Sequence, residues 1–505
     1  MQTFIIGLVI LFAGGYFYGG LCQKVFGPDD RKTPAFTKND GVDYIPMPKW
    51  KNSLINLLNI AGTGPILGPI QGILFGPVAF LTIPIGCVIG GAVHDYFCGM
   101  ISVREGGIQM PEVVRRSTGS VIHKVYTVFV LLGLFLVGIV FTYTPGDILA
   151  TQVLGLSGAA TSPSTWIIYG GIFIYYLIAT VFPIDKIIGR IYPIFGAILL
   201  LSAAGVFIML FVKGYPLLNI WDSWNLNGFD FGSYFTTEHF IPVFFITVAC
   251  GILSGFHSTQ ITLVTRTMES EREGRATFYN MMIAEGFIAL VWAAGTMAMI
   301  AVGAENAGIT MQMTEGGWAY FANISGTLQQ ISATSVVGVV CKNMLGPIGG
   351  LIAIVGVIIL PVTSGDTALR SMRLILADTL HIPQNTVIKR ILLALPVFIL
   401  ALVTVIWAKF DPNGFNTIWR YFGWSNQTLA VFAMVAIAIW LMRHGKEKYV
   451  WMPMIVLVFY AFVTTAYILG AKIGFRLPYV PSIVLGALFA AAVGIATFIW
   501  GKKKN

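Results

Sequence analysis

Long runs of apolar residues, separated by short polar segments, dominate the chain. A helix needs about 20 mostly apolar residues to cross a bilayer. Runs of this kind, bounded by charged and turn-forming residues, predict about 13 transmembrane helices, which we number as spans 0 to 12. They cover residues 3–20, 52–75, 77–102, 123–143, 165–183, 189–213, 241–266, 279–303, 346–365, 388–408, 419–442, 449–471 and 478–500. The pattern therefore predicts an all-α polytopic membrane protein.

The composition excludes the common soluble classes. Of the 505 residues, 56% are hydrophobic and only 10% are charged, and the mean hydropathy is +0.80. A soluble domain carries about 25% charged residues, so a soluble enzyme, a disordered protein and a disulfide scaffold are not expected. The net charge of +9 does not predict a nucleic-acid partner, because no soluble domain is left to carry a basic face.

Lysine and arginine are distributed unequally between the two sides of the predicted membrane protein. When the connections are assigned to alternate sides, 25 of the 31 Lys and Arg residues fall on one side and 6 on the other. Positively charged loops stay in the cytoplasm. The asymmetry predicts an N-terminus outside and a C-terminus in the cytoplasm, which agrees with an odd number of spans.

Two spans contain residues that disfavour a continuous helix. Span 1 contains a Gly- and Pro-rich stretch at 60–69, and span 6 contains a Gly-rich one at 249–258. Glycine permits non-helical backbone, and proline removes a backbone donor. Matched interruptions in two halves are typical of the substrate site of a transporter built on inverted repeats, whereas close helix packing through glycine is the alternative. The predicted substrate-binding residues are Ala61, Gly62, Thr63, Gly64, Cys250, Gly251, Ser254, Gly255, Phe256 and His257.

Ionisable and polar side chains inside the spans are candidates for function, because each costs free energy in the hydrocarbon. His94 and Asp95 lie in span 2, Glu285 lies in span 7, and His257 lies in the interruption of span 6. A buried carboxylate or imidazole can carry a proton; a hydrogen-bonded pair that locks two helices is the alternative. A further polar group, Ser425-Asn426-Gln427, begins span 10.

The inner end of span 8 carries two adjacent hydroxyls and an acid. Thr363 and Ser364, together with carbonyl oxygens freed by the interruption of span 1, could form an oxygen cage for a sodium ion. Hydrogen bonds from these hydroxyls back to their own helix are the alternative. Asp366 ends the span and could take part in ion or proton coupling, whereas an ion pair with the nearby Arg370 is the alternative.

Short stretches distributed over residues 41 to 442 match one known family. They are Gly41-Val42-Asp43-Tyr44, Ile60 to Pro65, Gly68-Pro69, Gly91 to Tyr96, Ile246 to His257, Met282 to Gly286, Thr363 to Arg370 and Phe422 to Gln427. Together they resemble the carbon-starvation (CstA) family of bacterial inner-membrane transporters.

The resemblance implies a secondary active transporter that takes up short peptides by alternating access and is coupled to an ion. Proton-coupled uptake of pyruvate or another small carboxylate is the alternative. The resemblance also implies kinship with amino acid–polyamine–cation transporters, which have a LeuT-like five-plus-five inverted repeat with spans 1 and 6 broken, and a sodium ion at the pair corresponding to Thr363 and Ser364. The expected organisation is an extra N-terminal helix and linker (1–51), two repeats (52–214 and 241–442) and two accessory helices with a basic tail (449–505).

The sequence departs from the family pattern at two places. Ile55-Asn56 stands where the family typically has a His-His pair, and His94 stands where it typically has Gln. A role of the His pair in protonation or substrate binding therefore cannot be transferred to this chain.

An intramembrane serine protease is a remote alternative. Gly155-Leu156-Ser157-Gly158 matches the GxSG motif of such enzymes, but it lies in a predicted outer loop. The expected protein is therefore not an enzyme and has no cofactor, with Na+ or H+ as its coupling ion. Its expected partners are a small substrate and the lipid bilayer, and the sequence leaves the oligomeric state open.

Overall fold

The computed structural model describes residues 1–41, 44–181, 184–314, 317–384, 386–411 and 413–503, without the side chains of 181, 184–193 and 195. Val42 and Asp43 of the family match lie outside these residues. The helices of the first half are α1 (Gln2–Phe26), α2 (Pro34–Thr37), α3 (Lys49–Ile60), α4 (Gly64–Gly72), α5 (Ala79–Arg104), α6 (Met110–Thr118), α7 (Ser120–Val153), α8 (Pro163–Val181) and α9 (Ile184–Val212).

The second half begins with a two-stranded hairpin and contains longer helices. The strands are β1 (Asn225–Leu226), β2 (Phe229–Asp230), β3 (Thr310–Thr314), β4 (Gly317–Ile324) and β5 (Thr327–Ile331). The helices are α10 (Phe231–Thr237), α11 (Phe240–Thr247), α12 (Ala249–Ile252), α13 (His257–Val264), α14 (Glu271–Val302), α15 (Ala333–Thr379), α16 (Val387–Phe410), α17 (Gly414–Arg443), α18 (Trp451–Gly470) and α19 (Tyr479–Lys502).

The protein is a mostly helical multi-pass membrane protein. Within the described residues, nine helices are long and apolar enough to cross a membrane, or ten when α3 and α4 are taken as one bent span. The predicted number of 13 is not confirmed. One reason is that span 6 is divided into α11, α12 and α13, each of 8 residues or fewer.

Burial separates central helices from peripheral ones. About nine-tenths of the apolar segments of α14 and α17 is buried (89% in each), against 28% for α1, α16 and α19. The peripheral helices expose large apolar side chains such as Phe17, which is 74% exposed. These side chains form a surface suited to lipid, because a soluble protein rarely exposes so much contiguous apolar surface.

The prediction of an all-α protein is wrong in two short regions, the hairpin of β1 and β2 and the connection after α14. The connection after α14 forms a three-stranded antiparallel sheet in the order β3-β4-β5. Tyr320 of β4 points inward, and its hydroxyl donates a hydrogen bond of 2.7 Å to the carbonyl of Ile70 in α4. The sheet was missed because its alternating residues lie outside the apolar runs on which the span prediction rests.

Three predicted helix ends also differ from the structure. Span 8 does not end before Asp366, because α15 continues to Thr379 and has its kink at Gly346, whose φ is 73°. Span 3 does not end at residue 143, because α7 continues to Val153 and contains Asp147. Asn426 and Gln427 lie near the middle of α17 and do not start it. Each helix continues through polar residues because neighbouring helices bury those side chains.

Candidate functional site

The first interruption separates α3 from α4. We call residues 61–63 the first break; α3 ends at Ile60, α4 begins at Gly64, and the axis bends by 49°. Pro65 lies in the first turn of α4, where its missing N–H needs no partner and its fixed φ favours a helix start. The prediction of a broken helix is confirmed here, and residues 61–64 are all buried.

The second interruption separates α12 from α13. We call residues 253–256 the second break; α12 ends at Ile252, α13 begins at His257, and Leu253 has an extended backbone with φ −159° and ψ 134°. Asn426 of α17 accepts hydrogen bonds at its Oδ1 from the N–H of Phe256 (2.7 Å) and the hydroxyl of Ser254 (3.1 Å). The break is therefore bound to a neighbouring helix, and residues 250–257 are all buried.

The helices next to the two breaks pack against each other. A Cβ atom placed on Gly64 would lie 2.1 Å from Sγ of Cys250, so only glycine fits at this point of α4. The ring of Phe141 in α7 covers Gly62 and also contacts the ring of Phe256, with 6.2 Å between the centroids. The structure thus brings the two predicted halves of the substrate site together.

Four ionisable residues form a connected group beside the second break, which we call the buried charge cluster: His94, Asp95, His257 and Glu285. Asp95 is hydrogen-bonded to both histidines. Its Oδ1 lies 2.8 Å from Nδ1 of His94, and its Oδ2 lies 3.0 Å from Nδ1 of His257. Nε2 of His257 lies 3.4 Å from a carboxylate oxygen of Glu285. All four side chains are completely buried, although the sequence places them in three separate spans.

His257 lies between the two acids of the cluster. Its Nδ1 is hydrogen-bonded to Asp95, whereas its Nε2 makes no hydrogen bond and approaches Glu285 at 3.4 Å. Neither carboxyl oxygen of Glu285 has a hydrogen-bond partner among the described residues. A buried carboxyl group beside an imidazole is the kind of arrangement that can exchange a proton.

The residues predicted in span 8 lie next to the end of α3. The Ser364 hydroxyl donates a hydrogen bond of 2.9 Å to the carbonyl of Leu58, and Thr363 donates one of 2.8 Å back to Leu360 in its own helix. Asp366 lies 3.7 Å from Arg370, which is the ion pair proposed above as its structural alternative. Oxygen atoms of α3 and α15 thus lie close together, as a small-cation site needs.

The two other members of the polar group of α17, Gln427 and Ser425, bind backbone carbonyls. Gln427 donates hydrogen bonds from Nε2 to the carbonyls of Leu253 (2.8 Å) and Phe245 (3.3 Å). Ser425 donates one to Phe422 in its own helix (3.1 Å).

Sequence reasoning missed several residues near the breaks. Asn59, Thr144 and Gln260 are buried, and among the described residues one side-chain oxygen of each has no hydrogen-bond partner. Asn59 and Gln260 lie within a turn of a break, so an amide inside an apolar span was the signal that could have identified them.

A buried ion pair was also missed. Asp147 lies 2.8 Å from Nζ of Lys409 and accepts a 2.7 Å hydrogen bond from Thr334. It joins α7, α15 and α16 at the ends of these helices and away from the breaks. The pairing shows that Asp147 and Lys409 stabilise a contact between helices.

The remaining candidate chemistries find little support in the part of the chain that the structure describes. No group of three His, Cys, Asp or Glu residues there could hold a metal ion. Ser157 is exposed, its Oγ accepts a hydrogen bond from the N–H of Ala159 at 3.3 Å, and no described histidine hydrogen-bonds to it.

Comparison with solved structures places this arrangement in a known fold. A manganese transporter from Eremococcus coleocola matches with a TM-score of 0.57 and 11% identity, covering 92% of this chain and 97% of that one. MhsT in complex with L-phenylalanine matches with a TM-score of 0.54 and 12% identity, covering 90% and 99%. At such low identity the likeness concerns the fold alone.

Comparison of the sequence with known proteins identifies the family. The model of the family described as carbon starvation protein CstA matches residues 1–161, 145–345 and 325–467. An uncharacterized membrane protein of Haemophilus influenzae is 42% identical over 331 residues, which cover 58% of this chain and 89% of the relative. The peptide transporter CstA of Escherichia coli is 26% identical over 565 aligned positions, which cover 89% of this chain and 78% of the relative. The chain therefore belongs to the carbon starvation protein CstA family.

Proposed function

We propose that the protein is a secondary active transporter that takes up short peptides by alternating access. The observation that carries the proposal is that two interrupted helices meet beside their breaks, at Gly64 of α4 and Cys250 of α12, next to the buried charge cluster. Unwound backbone at membrane depth is tolerated where it lines a cavity or is buried in protein, and a pair of broken helices is typical of transporter substrate sites.

The relatives support the substrate class. The Escherichia coli relative is named a peptide transporter, and solved transporters share the fold. We propose the five-plus-five organisation, with repeats at 52–214 and 241–442 that rock around the breaks, and accessory segments at 1–51 and 449–505. We also propose the bacterial inner membrane as its location, with the N-terminus outside and the C-terminus in the cytoplasm, because of the 25 to 6 division of Lys and Arg.

The charges around the breaks favour a peptide over pyruvate. The segments 52–103, 240–265 and 276–302 contain no Lys or Arg but include Asp95 and Glu285. An ammonium group therefore has acidic partners close to the second break. A carboxylate depends on backbone N–H groups at a helix N-terminus such as that of α4. A peptide presents both charges, whereas pyruvate presents only the carboxylate, for which these segments supply no Lys or Arg.

Two coupling ions are proposed, on different observations. The buried charge cluster supports protons, because His257 lies between Asp95 and Glu285 and both oxygens of Glu285 lack a hydrogen-bond partner among the described residues. Thr363 and Ser364 of α15, with the carbonyls of Leu58 and Leu360, offer oxygen ligands of the kind that a sodium ion takes. The cluster is the stronger candidate, since both hydroxyls already donate to carbonyls.

The experiment is uptake by the purified protein in proteoliposomes. Labelled dialanine and labelled pyruvate are compared, with a pH gradient and a sodium gradient imposed separately, and with protein-free liposomes as the control. We expect saturable accumulation of the dipeptide that depends on the pH gradient. Accumulation of pyruvate alone would transfer the proposal to small carboxylates, and accumulation of neither under either gradient would contradict it.

A further inference from the structure

The helical neighbour of the second break determines its shape. We infer that Asn426 and Gln427 of α17 are positioning residues that hold residues 253–256 unwound. Asn426 acts as a helix cap supplied from another helix, and Gln427 donates hydrogen bonds to backbone carbonyls in and before the break. The conformational part of this inference stands on the geometry alone; its consequence for transport rests on the proposed function.

An unwound segment inside a membrane protein leaves backbone groups without their helical partners. Each such group needs a substitute, because no water in the hydrocarbon region can provide one. The second break contains no proline, and the chain between Ile252 and His257 is Leu-Ser-Gly-Phe. Local sequence thus gives glycine as its only helix-breaking residue, so the partners of the freed groups decide whether the helix stays open.

Asn426 supplies the acceptors. Its Oδ1 takes the N–H of Phe256, the residue just before α13, at 2.7 Å, and its main-chain carbonyl takes the N–H of Gly255 at 3.2 Å. An asparagine oxygen that accepts an N–H at the start of a helix is a standard N-cap. Here the cap lies 170 residues further along the chain, on α17.

Gln427 supplies the donors. Its Nε2 reaches the carbonyl of Leu253 at 2.8 Å and that of Phe245 at 3.3 Å. Neighbouring residues on one helix therefore bind opposite kinds of group. Asn426 accepts from N–H groups of the break, and Gln427 donates to the carbonyl of Leu253 in the break and to that of Phe245 in α11.

Close packing makes α17 and the break a single unit. A Cβ on Gly255 would lie 2.3 Å from the carbonyl oxygen of Asn426 and 2.3 Å from the backbone nitrogen of Ala430. Main chain therefore lies against main chain at this point, with no side chain between. Any movement of the second break in a transport cycle must take α17 with it or break these hydrogen bonds.

The opposite chemistry of the two residues gives an experiment that simple packing would not reproduce. At position 426 the acceptor matters, so Asn426→Asp should keep the cap and Asn426→Leu should remove it. At position 427 the donor matters, so Gln427→Glu should turn a donor into an acceptor against two carbonyls, and Gln427→Met should only remove it. Thr428→Val is the matched control, because Thr428 bonds within α17 to Trp424.

The measurement is hydrogen–deuterium exchange by mass spectrometry of the purified full-length protein, on peptides that cover 245–258. We expect exchange at 253–258 to rise about tenfold in Asn426→Leu, the effect of one lost hydrogen bond with an orphaned N–H. Asn426→Asp should stay within about threefold of the wild type, since Asp and Asn cap equally well. Gln427→Glu should raise exchange at 245–253 at least as much as Gln427→Met, and Thr428→Val should change neither segment.

Two results would overturn the inference. Equal exchange in Asn426→Asp and Asn426→Leu would show that side-chain volume and not the acceptor matters, and unchanged exchange in all four variants would show that the break holds itself open. The conservative variant keeps the test decisive if Asn426→Leu fails to fold, because loss of protection in Asn426→Asp alone also contradicts it. Dialanine uptake is measured in parallel; altered exchange without any wild-type uptake would contradict the proposed function and leave the positioning role intact.

Discussion

The two breaks have similar shapes but different causes. The first break is encoded locally. Gly62 lies within it, Gly64 follows it, and Pro65 lies in the first turn of the next helix. Its backbone hydrogen bonds join residues close in sequence, such as the N–H of Gly62 and the carbonyl of Ile60 (2.9 Å). The second break has no proline and takes its partners from α17, 170 residues away. One interruption can thus follow from the chain's own preferences, whereas the other exists only because a neighbour satisfies it. The difference teaches that a helix can be interrupted either by its own glycine and proline residues or by hydrogen bonds from a neighbouring helix.

The largest expected effect comes from pushing the two breaks apart. In Gly64→Ala, the new Cβ would lie 2.1 Å from Sγ and 2.2 Å from Cβ of Cys250. We expect the free energy of unfolding to fall by about 3 kcal/mol, the upper range for overpacking, with loss of uptake. Thermal unfolding in detergent measures it. The double variant with Cys250→Gly should recover most of the loss; a neutral Gly64→Ala would show that the contact can relax.

The next effect concerns the buried charge cluster. His257 of this cluster follows the second break directly, whereas no member of the cluster lies in the first break. Glu285→Gln keeps the shape of the side chain but cannot exchange a proton. We expect stimulation of dialanine uptake by a pH gradient to fall by about 5- to 150-fold, the range of typical coupling free energies. Exchange of labelled for unlabelled dialanine, which needs no net proton movement, should persist. Retained pH stimulation would contradict proton coupling through Glu285.

A smaller effect is expected at the end of α3, where the Ser364 side chain of α15 donates a hydrogen bond to the backbone. Ser364→Ala removes the hydrogen bond to Leu58 (2.9 Å) and should lower the free energy of unfolding by about 1 kcal/mol. Because the first break is held by its own sequence, deuterium uptake at 58–64 should change less than it does at the second break in Asn426→Leu. Thr367→Val, which removes a hydroxyl bonded within α15, is the control. A larger opening at 58–64 would show that both breaks depend on neighbours.

The smallest effect lies outside both breaks, in the amphipathic helix α6. Hydrogen bonds from Arg115 and Arg116 lower the pKa of Glu112 to about 2. A lowered pKa means that the stabilising contribution is complete above the usual value near 4.5 and is lost as the pH falls towards 2. The pair is largely solvated, so Glu112→Gln should change the free energy of unfolding by at most about 0.5 kcal/mol at pH 7. Thermal unfolding from pH 7 to pH 3 should show the difference shrinking; a growing difference would contradict this sign.

Much of the candidate site was predictable, because ionisable and helix-breaking residues stand out within apolar spans. Both breaks and all four members of the buried charge cluster were identified from residues that are costly or helix-breaking inside a membrane. Their contacts were not predictable: Asp95 and Glu285 are 190 residues apart, and no local pattern indicates that His257 lies between them. The role of Asn426 and Gln427 was also not predictable, since polar residues in a helix do not reveal which backbone they will meet.

The sequence by itself determined that the chain is a membrane protein and where most of its spans lie. It also determined that span 1 is interrupted and which family the stretches from 41 to 442 resemble. These properties depend on composition and on local backbone preference, which each residue carries with it. The tertiary structure alone decided the three-stranded sheet after α14, the continuation of α15 past Asp366, the position of His257 between Asp95 and Glu285, and the support of the second break by α17. Those depend on which groups meet across the fold, because a buried polar atom is stable only with the partner that packing brings to it.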